Sequence, residues 1–172
     1  IYAGNIGLAQ GFETIFDLAQ EFNNDNKLGF LFIGRGTNYQ YFKDLAKKRY
    51  LQNVYFHPEI PNSKLIQIYK KCFGGIVVLN KRHKTHNIPG KFISYIHSGL
   101  PVFAVVNPHN DLIKIIKRNN IGFATSNYSI SFLKKKIKLS YFLKIRNLWE
   151  KKENITIIGI ASPAPKLLEI EK

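Results

Sequence analysis

Thiols are almost absent from this chain. Cys72 stands alone, so no internal disulfide can form and no metal cluster can be built on thiolates. It lies in IYKKCFGGIVVL, just before an apolar run, and reads as a small buried hydrophobe. Acidic side chains are scarce: four Asp and seven Glu face 26 Lys and Arg. No Asp-x-Asp pair occurs, which removes the simplest carboxylate cradle for Mg²⁺ on a diphosphate. His83 and His86 lack a third ligand nearby, so a zinc site is not expected there. No stretch reaches the ~18 apolar residues of a spanning helix, and no basic segment leads into an apolar one at the start. The location expected from these absences is cytoplasmic and reducing. Methionine is missing altogether, and the chain opens inside an apparent strand, Ile1–Ala3, as a piece of a longer protein would. Internal repeats and low-complexity linkers are also lacking.

What remains is the composition of a globular α/β protein. Hydrophobic residues make up 45% and aromatics 13%, enough for a core. The formal charge of +15 attracts polyanions, anionic membrane surfaces or phosphorylated ligands without choosing among them. Near-continuous apolar runs predict strands at Ile1–Ala3, Leu28–Ile33, Val54–Phe56, Gly75–Leu79, Val102–Val106 and Gly122–Ala124. Amphipathic stretches between them predict helices at Ala9–Phe22, Tyr39–Tyr50, Ser63–Cys72, Pro89–Ser98 and Asp111–Arg118. Strands of this kind separated by helices form a parallel sheet covered on both faces, a doubly wound α/β fold. The 172 residues read as one domain, an α/β core over residues 1–127 with a helical tail over residues 128–172. In the tail, Phe132, Leu133, Ile137 and Phe142 can share one face. That face fits either a solvated helix packing inward or contact with a membrane surface.

Ligands of doubly wound sheets sit at the carboxyl ends of the strands, so the loops there matter most. The first is Gly4-Asn5-Ile6-Gly7, whose glycines let a backbone approach a phosphate. It matches a dinucleotide fingerprint poorly, and the second strand ends in Gly34-Arg35-Gly36 with no acidic residue for a ribose. Arg35 leaves an NADP site open through a 2′-phosphate. The third loop, His57-Pro58-Glu59-Ile60-Pro61, is a stiff turn followed by Asn62 or Ser63 as a helix cap. The fourth runs from Asn80 to Ile88 and holds Arg82, His83, Lys84 and His86 ahead of Pro89-Gly90-Lys91. Free N–H groups, the positive end of a helix dipole and a lysine together make an anion site. The simpler reading is that Pro89 only starts a helix and Lys91 is solvated.

The segments YAGNIGLAQGFET, FLFIGRGTNYQYFKDLA, NVYFHPEIPNSKLIQIYKKC, GGIVVLN and HKTHNIPGKFISYIHSGLPVFAVVNPHNDL, over roughly residues 1–124, carry a resemblance. They resemble the C-terminal, nucleotide-sugar-binding half of a GT-B retaining glycosyltransferase of family 4. The likeness is to the O-antigen and capsule type, especially enzymes transferring N-acetyl-L-fucosamine or a related amino sugar. The resemblance implies a Rossmann-like half of a GT-B fold, with the acceptor domain preceding Ile1. It implies that Gly4, Asn5 and Gly7 face the diphosphate, and that Gly34, Arg35, Gly36 and Ile60 border the uridine. Gly90 and Lys91 would hold the β-phosphate, with Arg82 and Lys84 adding cationic help. Where many members carry Glu-x7-Glu, this chain has His86 and Ser94; where they carry Arg and Lys in the first loop, it has Asn5 and Gln10. His86 and Lys91 would then be the catalytic pair, with Ser94 toward the ribose. The implied donor is a UDP-sugar used without a metal or other cofactor. The implied acceptor is a polyprenyl-diphosphate-linked saccharide, with peripheral membrane contact possible. Three alternatives stay open: a UDP-N-acetylglucosamine 2-epimerase-like domain, an NADP-dependent Rossmann domain and a basic nucleic-acid module. The epimerase needs general acid/base carboxylates that are few here. The only stripe suited to nucleic acid, Lys134–Lys152, lies outside the family-like region, so no nucleic-acid partner is expected.

Overall fold

In the computed structural model, residues 1–7, 10–25, 27–82 and 88–137 are described, together with Phe142, Lys144, Ile145 and Asn147. Among the described residues up to 137, six short strands alternate with six helices. In chain order they are β1 (Tyr2–Ala3), α1 (Phe12–Glu21), β2 (Phe30–Gly34), α2 (Tyr39–Lys48), β3 (Val54–Pro58) and α3 (Asn62–Lys71). Then follow β4 (Gly75–Val78), α4 (Gly90–His97), β5 (Val102–Val105), α5 (Asp111–Asn119), β6 (Gly122–Thr125) and α6 (Ile130–Lys136). The expected strands and helices of the core are all present, with ends moved by one to three residues. Strands β1, β2 and β3 form one parallel sheet; β4, β5 and β6 form another. The two meet where the Ile76 N–H donates to the Ile1 carbonyl at 2.7 Å. The strands thus lie side by side in the order 3-2-1-4-5-6, reversing direction of growth between β1 and β4.

Alternation along each strand explains the two layers. Phe30 and Phe32, Ile76 and Val78, Phe103 and Val105 face one side and pack on Phe12, Ile15, Phe16 and Phe42 of α1 and α2. Ile33, Val77, Val102 and Ala104 face the other, against Tyr69, Phe92, Tyr95, Leu112 and Ile116 of α3, α4 and α5. Both faces are apolar because both are covered. Phe12 anchors the first layer, with ring centroids 4.8 Å from both Phe32 and Phe42.

One sequence reading changes here. Helix α3 is entered through Pro61 with no side-chain cap, because the Leu65 N–H reaches the Pro61 carbonyl at 3.0 Å and Asn62 is already helical. In the tail, Leu133 is fully buried and Phe142 nearly so, while Phe132 and Ile137 lean on the same core. These apolar side chains pack inward, as one of the two readings of the tail expects; the rest of the tail, residues 138–172 apart from Phe142, Lys144, Ile145 and Asn147, lies outside the described residues. Lys134 pairs with Glu21 of α1 at 3.1 Å. Among the described residues no helix is long and apolar enough to cross a membrane.

Candidate functional site

At the carboxyl ends of β1 and β4, where the strand order reverses and doubly wound sheets take their ligands, the loop after β1 and the start of α4 face each other, Gly4 lying against the end of the Lys91 side chain. Three chain segments converge there. Gly11 caps α1 in the left-handed region (φ 61°), and a Cβ on it would lie 2.8 Å from Asn80 Cα. The start of α1 is thereby jammed against the end of β4. Opposite, α4 begins at Gly90 behind Pro89, which offers no side-chain cap. Only the Phe92 N–H turns back, to the Pro89 carbonyl at 2.9 Å. The Gly90 and Lys91 N–H groups have no partner among the described residues, and a Cβ at Gly90 would meet nothing within 4 Å. Among the described residues nothing covers Gly90 at this helix N-terminus.

Lys91 does not extend into solvent. Its ammonium is covered, has no hydrogen-bond partner among the described residues, and lies 3.5 Å from the centroid of the Tyr2 ring. A Cβ on Gly4 would come within 3.4 Å of Lys91 Nζ, so the bare backbone of Gly4 forms part of this seat. Burial lowers the ammonium from its ordinary 10.5 to about 7. An uncompensated buried cation is costly, and its natural complement is an anion.

The remaining expected residues fall into place around this pair. Asn5 donates from its amide to Gln10 Oε1 at 3.2 Å, and Gly7 packs beside both side chains. Gly34 and Gly36 do sit next to the third loop, since Gly34 pairs with Pro58 and Arg35 forms an ion pair with Glu59 at 3.1 Å. Their lack of side chains serves the protein itself. A Cβ on Gly34 would strike the Gly4 carbonyl, and one on Gly36 the Ile6 carbonyl. Arg35 is largely exposed and already carries a carboxylate, which weakens it as a 2′-phosphate ligand. Ile60 is half-buried against the α3–α5 layer. Ser94, one turn beyond Gly90, is exposed and points its hydroxyl back toward the Gly90 carbonyl at 3.4 Å. Arg82 is exposed, in a turn fixed by its N–H donating to Asn80 Oδ1 at 3.0 Å. His83, Lys84 and His86 lie outside the described residues. Among the described residues no group of three or more His, Cys, Asp or Glu is placed to hold a metal ion.

Two tyrosines escaped the sequence reading. Tyr2 supplies the face under Lys91. Tyr95, on α4, is wholly buried; its hydroxyl accepts the Ala3 N–H at 2.9 Å and lies 3.4 Å from the Ile76 carbonyl. The available signals were slight: an aromatic two residues before the first loop glycine, and one four residues after Lys91.

A model of the family described as glycosyl transferases group 1 matches residues 1–156. The chain belongs to this family. No curated relative matches it by sequence. Solved structures of group 1 and related glycosyltransferases share its fold. The C-terminal domain of the group 1 protein LpcC from Francisella tularensis superposes with a TM-score of 0.66 at 17% identity, covering 90% of this chain and 86% of that one. A TarM variant from S. aureus, solved with fondaparinux, alpha-GlcNAc-glycerol and UDP, gives 0.64 at 15%, covering 98% of this chain and 34% of that one. WaaG, a glycosyltransferase involved in lipopolysaccharide biosynthesis, gives 0.63 at 13%, covering 98% and 46%. The chain thus spans about a third of TarM and under half of WaaG. At this level the likeness establishes the fold: a Rossmann-like half of a GT-B glycosyltransferase.

Proposed function

We propose that this chain is the donor half of a retaining glycosyltransferase and that its crevice binds the diphosphate of a UDP-sugar. One observation carries the reading: an ammonium at the first turn of α4, opposite the Gly4–Gly7 loop, that is buried and has no hydrogen-bond partner among the described residues. A diphosphate would bring the acceptor atoms that Lys91 and the free N–H groups of α4 lack. As the bond to the sugar breaks, charge gathers on the β-phosphate. Lys91 and the helix N-terminus stabilise that charge without needing a metal. The acceptor hydroxyl attacks from the face the phosphate leaves and passes its proton to the departing phosphate oxygen, a route that retains configuration. UDP bound to the TarM variant supports the choice of nucleotide. The uridine lies along Gly34, Arg35, Gly36 and Ile60. Ser94 offers the ribose a neutral hydroxyl, and His86 orients the sugar.

An N-acetylamino sugar as donor is supported by Asn5, Gln10, His86 and Ser94 standing where charged groups are usual in the resembling enzymes. The acceptor is a polyprenyl-diphosphate-linked saccharide of surface polysaccharide synthesis, held by a second domain at the cytoplasmic face of the membrane; WaaG's role in lipopolysaccharide biosynthesis supports this setting. Catalysis needs donor and acceptor gripped together, so this half alone binds but does not turn over. Titration calorimetry of the chain against UDP, ADP, GDP and NADP tests the proposal. UDP should bind best, and Lys91→Ala should weaken it by about 1–3 kcal/mol, the scale of a lost charge-assisted contact. Failure to bind UDP, or an affinity indifferent to Lys91→Ala, refutes it.

A further inference from the structure

A lysine with no hydrogen-bond acceptor ordinarily swings out to water, where its ammonium is hydrated. Lys91 does not, although among the described residues nothing covers Gly90 at its helix start. What it touches is the ring of Tyr2, with Nζ 3.5 Å from the centroid. That ring is fixed on all sides. Tyr2 is wholly buried, its edge meets Phe12 at 5.2 Å and Phe32 at 6.5 Å, and its hydroxyl donates to the Asn5 carbonyl. Tyr2 thus joins three things: the aromatic core beneath, the backbone of the first loop, and the cation of α4. Gly4 lies beside the same ammonium.

We propose that Tyr2 is a positioning residue for Lys91, its ring face holding the ammonium against the Gly4–Gly7 loop while the site is empty and releasing it to a diphosphate when one arrives. The inference rests on the donor-site reading above. A ring face attracts a desolvated cation and does not compete with phosphate oxygens for its protons. The seat therefore keeps the cation facing the ligand at small cost on release. It also favours the charged form of Lys91 against burial, which pulls the other way. The described titratable groups packed nearest are Tyr2 on β1 and Tyr95 on α4, both pushed by burial above the usual tyrosine range and so neutral. No described carboxylate pairs with Lys91. His83, Lys84 and His86 precede α4 outside the described residues.

The chemistry gives a readout that ordinary destabilisation does not move. In the free chain Lys91 sheds its proton near pH 7, and bound diphosphate restores it, so UDP affinity falls as pH rises above that point. Removing the ring lowers the free-state midpoint by about one pH unit, the equivalent of a desolvated cation–π contact. Calorimetry between about pH 6 and pH 9 should then show Tyr2→Leu binding UDP roughly five- to tenfold more weakly than wild type at the alkaline end, the gap closing toward pH 6. Tyr2→Phe, which keeps the face, should keep the wild-type midpoint. A Tyr2→Leu curve that overlays wild type, or drops by one factor at every pH, overturns the proposal. NMR of the free wild-type chain decides it without any variant and without UDP. Lys91 ε-methylene signals should be shifted upfield by the Tyr2 ring current and lose that shift when UDP is added. Lys91 signals at solvated-lysine positions overturn the seat even if UDP binds. An upfield-shifted Lys91 in a chain that does not bind UDP overturns the donor-site reading and leaves the ring contact standing.

Discussion

Replacing Lys91 by methionine should make the free protein more stable while abolishing much of its affinity. In the unfolded chain the ammonium titrates at its ordinary 10.5; within the fold, burial brings it to about 7. Between those limits the unfolded chain holds a proton that the folded chain has lost, so stability rises with pH across that window. Below it the penalty of the buried charge is felt in full; above it the penalty is gone. At about 1.4 kcal/mol per pH unit the window amounts to about 5 kcal/mol, and solvent screening should leave about half. Methionine has nearly the same length and no charge, so it fills the space over Tyr2 without a cavity. Lys91→Met should accordingly raise the unfolding free energy by roughly 2 kcal/mol near pH 6.5, with the advantage fading toward pH 10. Urea denaturation of both proteins at several pH values measures this, since every other titrating group is common to the two. UDP affinity measured on the same samples should fall. Parallel stability curves, with no narrowing toward high pH, would refute the claim that a buried uncompensated cation sits there.

Three further outcomes are expected. Gly34→Ala places a methyl against the Gly4 carbonyl at a backbone angle (φ 153°) that side chains avoid, and should cost about 2–4 kcal/mol by thermal or urea unfolding. Tyr95→Phe strips the acceptor from the buried Ala3 N–H, which should cost about 1–3 kcal/mol and speed hydrogen exchange at that amide. Adding EDTA should leave the calorimetric affinity for UDP unchanged; a large fall would transfer the diphosphate-binding role to a metal.

Much of the framework could be read from residue order, because the central strands announce themselves through both-faced burial. GIVV and VFAV are apolar at every position since helices cover both sides of β4 and β5. The helix beginning after Pro89 was equally visible, Pro-Gly being a strong punctuation mark. Subtler matters depend on contacts between distant segments. That Gly34 and Gly36 make room for the carbonyls of Gly4 and Ile6 follows from how two loops stack, and nothing local distinguishes this from making room for a ligand. The partnership of Lys91 with Tyr2 spans 89 positions and pairs residue types that carry no mutual signature. Arg35 looked like a free cation until Glu59, from the next loop, came to neutralise it. The inward turn of Leu133 was the favoured of two options, and the apolar flank of α1 is what receives it.

Helix α4 carries both the cation of the crevice and, through Tyr95, the strut that grips Ala3 on the opposing wall. Both jaws of the pocket are therefore bolted to one rigid rod. The aperture cannot widen by the two halves of the sheet drifting apart. On the proposed donor-site reading, adapting this scaffold to a bulkier sugar is a matter for the connection between β4 and α4, with the spacing of β1 and β4 held by the contact of Tyr95 with Ala3.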